Sequence, residues 1–207
     1  ARVVGHSMGA RLALQLMGAM PGAIGSLVAI EGMGSETTPP ADIDPNMREW
    51  LEKRRDRSLG SSAEKMRLWL QARLRAERNV AVHPDLEGRV AKQLADRKKR
   101  LTREQAELFV RTNMRKVEGG WSWKFDPLTR WQTANEQMQS QEPFWQAIEG
   151  PVLHLYGAQS WASPPGESTL ALFRDARLTV VPDAGHWVQF NQPEIVAQAI
   201  LAFFAET

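Results

Sequence analysis

Val3-Val4-Gly5-His6-Ser7-Met8-Gly9 constrains this chain more than any other stretch. The β-branched pair reads as strand. Residues 10–20 are amphipathic, with Leu12, Leu16 and Ala19 on one helical face. Between strand and helix stands Gly-x-Ser-x-Gly. A strand that passes into a helix over so few residues must turn sharply, with Ser7 at the apex and its hydroxyl clear of the sheet. That geometry is the nucleophile elbow. Gly5 and Gly9 read as positions where a Cβ would collide with neighbouring backbone. The helix start brings main-chain N–H groups near Ser7, where negative charge on a bound molecule would be stabilised.

Composition narrows the class. The chain has 207 residues, 43% hydrophobic and 24% charged, enough for one sizeable core. With no cysteine there is no disulfide, no cysteine nucleophile and no thiolate metal site. The four histidines, His6, His83, His154 and His186, lack metal-ligand spacing, so no metal is expected. No apolar run reaches membrane-spanning length, so no stable membrane insertion is expected. The net charge is only +2, but residues 48–116 hold 20 Lys or Arg against 10 Asp or Glu. That excess reads first as the solvated faces of amphipathic helices, with attraction of an anionic substrate or surface as the alternative. No nucleic-acid motif accompanies it, and no nucleic-acid partner is expected.

In chain order, residues 1–5 read as a buried strand and 26–30 as a second one. Strand, helix, strand with short turns is a βαβ unit, which implies a parallel sheet. A polar, proline-bearing linker follows over 34–45. Helices are then predicted over 44–58, 62–78 and 84–97, with Trp50 and Trp69 packing between them. A further helix opens at Thr102, whose Thr-x-x-Gln spacing fits a capping box, and runs to Gly119-Gly120. Residues 121–127 are aromatic-rich and extended or turn-like, and a helical stretch leads towards Phe144 and Ile148. The α/β pattern returns with a strand at 152–156, a loop at 157–165, a helix at 167–173 and a strand at 178–181. The loop Asp183-Ala184-Gly185-His186-Trp187 precedes a last helix over 193–205. The chain opens on Ala1 and inside a strand, so it is expected to be a piece of a longer protein.

Gly5-His6-Ser7-Met8-Gly9, joined to Asp183-Ala184-Gly185-His186-Trp187, resembles the α/β-hydrolase fold family. The match covers residues 1–34 and 151–207 as the core, and residues 35–150 stand where that family inserts a helical lid. The resemblance implies an α/β fold with a mostly parallel sheet, an all-helical lid and a missing N-terminal portion. The family's order is Ser, acid, His, which Ser7 and His186 fit. It implies Ser7 as nucleophile, His186 as base and the Met8 N–H as one oxyanion-hole donor. The second donor would come from a loop before the elbow strand, outside this chain. A serine hydroxyl is a weak nucleophile and needs a base to take its proton. An imidazole, which ordinarily titrates near neutrality, takes that proton and returns it to the leaving group. A carboxylate holds the ring's tautomer and stabilises the imidazolium. His6 is read as shaping the site, Trp161 and Trp187 as pocket residues, His83 as a surface residue and His154 as a core residue.

The family usually carries its acid in the loop after the 152–156 strand. That loop here reads Gly157-Ala158-Gln159-Ser160-Trp161-Ala162-Ser163, without a carboxylate. Glu31 is the candidate instead. It closes the strand next to the elbow strand, and the C-terminal ends of strands in a doubly wound sheet face the site. Some members of the superfamily, the haloalkane dehalogenases among them, carry their acid there. Asp183 is the competitor, and a Glu31 that reaches solvent or an arginine is the alternative. The expected function is cleavage of an ester-like or related acyl bond in a small-molecule substrate, through an acyl-serine intermediate and without a cofactor. Two alternatives stand beside it. One is a cofactor-free perhydrolase or haloperoxidase-type enzyme. The other is a non-catalytic binding protein on a hydrolase scaffold, for which the carboxylate-free loop would be the evidence. A cytoplasmic location is expected, and the oligomeric state stays open.

Overall fold

Strand β1 (Arg2–His6) runs into helix α1 (Met8–Ala19) and the chain returns as β2 (Ser26–Ile30), the expected βαβ unit. The computed structural model describes residues 1–33, 81–96, 99–125 and 141–207. The linker at 34–45, the helices predicted over 44–58 and 62–78, and Trp50 and Trp69 lie outside the described residues. The chain divides into two compact units. The first comprises residues 1–34, 87–110 and 140–207, the second residues 35–86 and 111–139. Residues 87–110 and 140–150 therefore group with the two α/β ends.

In the first unit the remaining elements are α2 (Glu87–Ala95), α3 (Arg103–Asn113, whose last turn enters the second unit), α4 (Glu142–Gln146) and β5 (Val152–Gly157). They continue with α5 (Glu167–Leu170), β6 (Ala176–Val181), α6 (Val188–Asn191) and α7 (Pro193–Glu206). The sheet is parallel throughout, in the order β1-β2-β5-β6. Alternation along β2 explains the layering, because successive side chains of a strand point to opposite faces. Leu27 and Ala29 pack with Leu14 and Met17 of α1, Trp145 and Ile148 on one face. Val28 and Ile30 pack with Leu155, Val181, Val188, Val196 and Phe203 on the other. Both faces of β2 are thus covered, as parallel sheets require.

Two expectations change here. The strand read as buried over residues 1–5 is largely open: Val4 is 47% exposed, and among the described residues β1 pairs only with β2. Helix α1 buries Ala10, Ala13, Leu14 and Met17, not the face bearing Leu12, Leu16 and Ala19. The sequence carries two apolar stripes, and the one at positions 10, 13, 14 and 17 is the one that meets the sheet.

The capping box forms at the start of α3. The Gln105 N–H donates to the Thr102 hydroxyl at 3.2 Å, and the Thr102 N–H donates to Gln105 Oε1 at 2.9 Å. The helix does not reach Gly119. In the second unit it gives way to β3 (Met114–Val117), which pairs antiparallel with β4 (Gly120–Trp123). Gly119 at φ 79° and Gly120 at φ 149° make a hairpin turn out of what reads in sequence as a helix stop. His83 is held in this unit, exchanging two 2.8 Å main-chain hydrogen bonds with Trp121. It is partly buried, not the surface residue expected.

Candidate active site

The strand register sets the site. His6 pairs with Ile30, and Ile30 with Leu155, so Ser7 and Glu31 emerge side by side from the carboxyl end of the sheet. The ladder extends one step past each strand: the Ser7 N–H donates to the Ile30 carbonyl at 2.8 Å and the Glu31 N–H to the Leu155 carbonyl at 2.9 Å. These bonds hold both residues in the left-handed backbone region, Ser7 at φ 54° and Glu31 at φ 51°. Non-glycine residues there carry roughly 1–3 kcal/mol of strain, which persists only where the surroundings impose it. Space is equally tight. A Cβ on Gly5 would lie 2.7 Å from the Ala10 backbone, and one on Gly32 would lie 2.2 Å from the Ser7 carbonyl oxygen. Gly9 is different: nothing stands within 4 Å of its Cβ direction, so the expected collision there is absent. Gly9 faces outward at the first turn of α1, where only Gly5 faces the crossing of strand and helix.

His186 stands between the two strand ends. Its Nε2 is 3.1 Å from Ser7 Oγ and its Nδ1 is 3.1 Å from Glu31 Oε2. The Glu31 side chain is 0% exposed. A buried carboxylate needs donors, and it has them. The Gly157 N–H donates to Oε1 at 2.6 Å, and the Ser160 hydroxyl donates to Oε2 at 2.6 Å. Asp183, the competing acid, is exposed and accepts from Gln159 Nε2 at 3.3 Å. Its backbone is also in the left-handed region, at φ 52°, which suits a turn before the histidine loop. Sequence reasoning had no reason to single out Gly157 or Ser160, because neither is charged. The only signal was their position at the end of the strand that neighbours β2.

The surroundings fix the imidazole. His6 Nε2 donates to the His186 carbonyl at 2.8 Å, and the two rings sit 4.9 Å apart. Burial, its largest influence, lowers the pKa of His6 against that hydrogen bond. Asn191 accepts the Gly185 N–H at 2.9 Å and donates to the carbonyls of Lys99 and Arg100 at 3.2 and 2.9 Å, tying down the backbone just before His186. Trp161 is 63% exposed with its ring 5.1 Å from that of His186. Trp187 is partly buried between His6, Phe109 and Phe190. Lys99 Nζ lies 5.6 Å from the Trp187 ring centre, a cation–π contact not foreseen from sequence. Its own pKa is lowered, chiefly by burial. The Met8 N–H opens α1, where a helix has no internal acceptor for it. Among the described residues no group of three or more His, Asp or Glu is placed to hold a metal ion, and no helix is long and apolar enough to cross a membrane.

A serine on a strained strand-to-helix turn, followed late in the chain by a histidine on a loop above a parallel sheet, defines an α/β protein of the hydrolase type. Residues 1–199 match the alpha/beta hydrolase family, and the chain belongs to it. It is 28% identical over 210 residues to the sn-1-specific diacylglycerol lipase ABHD11 of Mus musculus, covering 98% of this chain and 58% of the mouse protein. The crystal structure of E-2-(acetamidomethylene)succinate hydrolase superposes with a TM-score of 0.67 at 25% identity, covering 99% of this chain and 66% of that one. A thioesterase domain from the curacin biosynthetic pathway shares the fold, with a TM-score of 0.60 at 19% identity over 96% of this chain and 63% of that one. The chain thus spans less than two thirds of the length of each of these proteins.

Proposed function

We propose that the complete protein is a serine hydrolase that cleaves an ester-like acyl bond in a small-molecule substrate through an acyl-Ser7 intermediate. The observation that carries this reading is the continuous chain from Ser7 Oγ to His186 Nε2 and from His186 Nδ1 to Glu31 Oε2, 3.1 Å at each step. With Nδ1–H donated to Glu31, Nε2 keeps its lone pair towards Ser7 and takes the hydroxyl proton as the oxygen attacks a carbonyl. The Met8 N–H, at the positive end of α1, faces the developing oxyanion. His186, now imidazolium beside the Glu31 carboxylate, protonates the leaving group. A water molecule then repeats the sequence to release the acid and regenerate Ser7.

The family membership and the lipase relative support an ester as substrate. A non-catalytic scaffold would have been favoured by a missing acid. Glu31 meets His186 from β2, which weighs against a non-catalytic scaffold. The test is steady-state hydrolysis of p-nitrophenyl acetate by the complete protein and its Ser7→Ala variant. Removing a serine nucleophile that works as one unit with its base costs on the order of 10⁶ in kcat. Turnover by Ser7→Ala near that of the wild type would end the serine-hydrolase reading.

A further inference from the structure

Resting on the Ser7–His186–Glu31 reading, we infer that Ser160 is a positioning residue for the acid: its hydroxyl holds the Glu31 carboxylate in the orientation that His186 needs. Ser160 Oγ lies 2.6 Å from Glu31 Oε2, the same oxygen that accepts from His186 Nδ1 at 3.1 Å. Ser160 Oγ also accepts the Ala162 N–H at 3.1 Å. A hydroxyl has a single hydrogen, and an ionised carboxylate only accepts, so that hydrogen points at Glu31. The Gly157 N–H grips the other carboxylate oxygen, Oε1, at 2.6 Å. Gly157 on Oε1 and Ser160 on Oε2, beside His186, fix the plane of the carboxylate, which cannot rotate without breaking these bonds. Hydrogen bonds to an ionised group are about twice as strong as neutral ones, so the grip is firm. The Glu31 side chain is fully buried, so bulk water is not at hand to replace a lost donor.

The loop that carries Ser160 is itself anchored to the base. The Ala158 N–H donates to the Val181 carbonyl and the Gln159 N–H to the Ala184 carbonyl, both at 2.9 Å. A Cβ on Gly157 would lie 2.3 Å from the Ala184 oxygen and 2.5 Å from the Gly185 oxygen, so the loop is pressed against the two residues before His186. The loop that lacks a carboxylate therefore supplies two donors that aim one. Ser160 touches neither Ser7 nor the reacting carbonyl in this scheme and acts only through Glu31.

The experiment is a double-mutant cycle in the complete protein, with p-nitrophenyl acetate as the probe. Ser160→Ala should lower kcat about 10-fold with KM changed by less than about 2-fold, the pattern of an interaction made in the transition state. Ser160→Thr, which keeps the hydroxyl, should recover most of that loss. In the Glu31→Gln background Ser160→Ala should change kcat by less than about 2-fold, because no carboxylate remains to be aimed. A structural role for Ser160 independent of Glu31 would instead give the same loss in both backgrounds, and that result overturns the proposal. So does wild-type kcat in Ser160→Ala, or a loss carried by KM alone. If Ser160→Ala does not fold, Ser160→Cys takes its place, since a thiol is only a weak donor and the same losses are expected. Full turnover by Ser7→Ala would remove the serine reading and this proposal with it, an outcome visible without any change at position 160.

Discussion

Glu31 Oε2 and His186 Nδ1 lie 3.1 Å apart although 155 positions separate them in the chain. The contact joins the end of β2 to the loop after β6, passing over the end of β5 between them. It is possible because β2 neighbours both the elbow strand and β5, so its last residue looks towards both. The family resemblance points to the β5 loop for the acid, but the polar side chains of that loop are hydroxyls and an amide, and the sequence already singles out Glu31 instead. The fold supplies the carboxylate from one strand nearer to Ser7.

Glu31 and Asp183 can be ranked directly. Glu31→Gln should lower kcat for p-nitrophenyl acetate by on the order of 10²–10⁴, as neutralising the acid of such a unit does elsewhere. Asp183→Asn should change it by less than about 3-fold, because this side chain is exposed and accepts only a long 3.3 Å hydrogen bond from Gln159 among the described residues, and surface substitutions have small effects. Steady-state kinetics of the two variants side by side decides the ranking. The opposite order would place the acid at the histidine loop.

The glycines around the elbow should separate by stability. Gly5→Ala and Gly32→Ala each force a Cβ to within 2.7 Å or less of backbone atoms that cannot move independently. Overpacking of this kind costs roughly 1–3 kcal/mol, and a backbone clash belongs at the upper end. Gly9→Ala meets open space at the start of α1 and should be neutral or stabilising by up to about 1 kcal/mol, since alanine is the better helix former. Urea midpoints measured for the three variants check this. A Gly9→Ala protein as unstable as Gly5→Ala would contradict it.

His154 makes stability depend on pH. It is fully buried in β5 with its ring edge-on to Phe173 at 5.1 Å, and neither ring nitrogen has a hydrogen-bond partner among the described residues. Burial pushes its pKa down to about 4 from 6.5. The unfolded chain therefore takes up a proton below pH 6.5, while the folded chain does not until about pH 4. Stability should fall as pH drops through 6.5 and stop falling from this source below 4, with a loss of about 2 kcal/mol by pH 5. His154→Leu should remove that loss. Urea unfolding at pH 7.5 and pH 5 tests it, and an equal decline in both proteins would assign the pH dependence to other groups.

How much of this was legible beforehand follows from how local each feature is. The elbow is written in consecutive residues, so Val3 to Gly9 specified it. His186 was readable from chain order and Glu31 from its place at a strand end. Ser160 was not, because a serine in a loop carries no sign of the carboxylate it will meet 129 positions away. The Trp187–Lys99 contact likewise exists only once the fold brings α6 and the 99–100 segment together through Asn191. The hairpin at 114–123 was missed because Gly119-Gly120 serves as a helix stop or a hairpin turn with the same residues, and pairing with Trp121 and Trp123 selects the latter. In α1 the sequence reading chose the face of Leu12, Leu16 and Ala19, because the stripe at 10, 13, 14 and 17 is marked as the inner one only by the position of the sheet.

Covalent capture reads most directly whether Ser7 is the activated nucleophile proposed. The complete protein should be treated with a fluorophosphonate and the modified peptide mapped by mass spectrometry. One adduct is expected, on Ser7, formed in the wild type, absent in Ser7→Ala and slowed by at least about 100-fold in His186→Ala, where the base is gone. A wild-type protein that stays unlabelled, or an adduct that persists in Ser7→Ala, would contradict it.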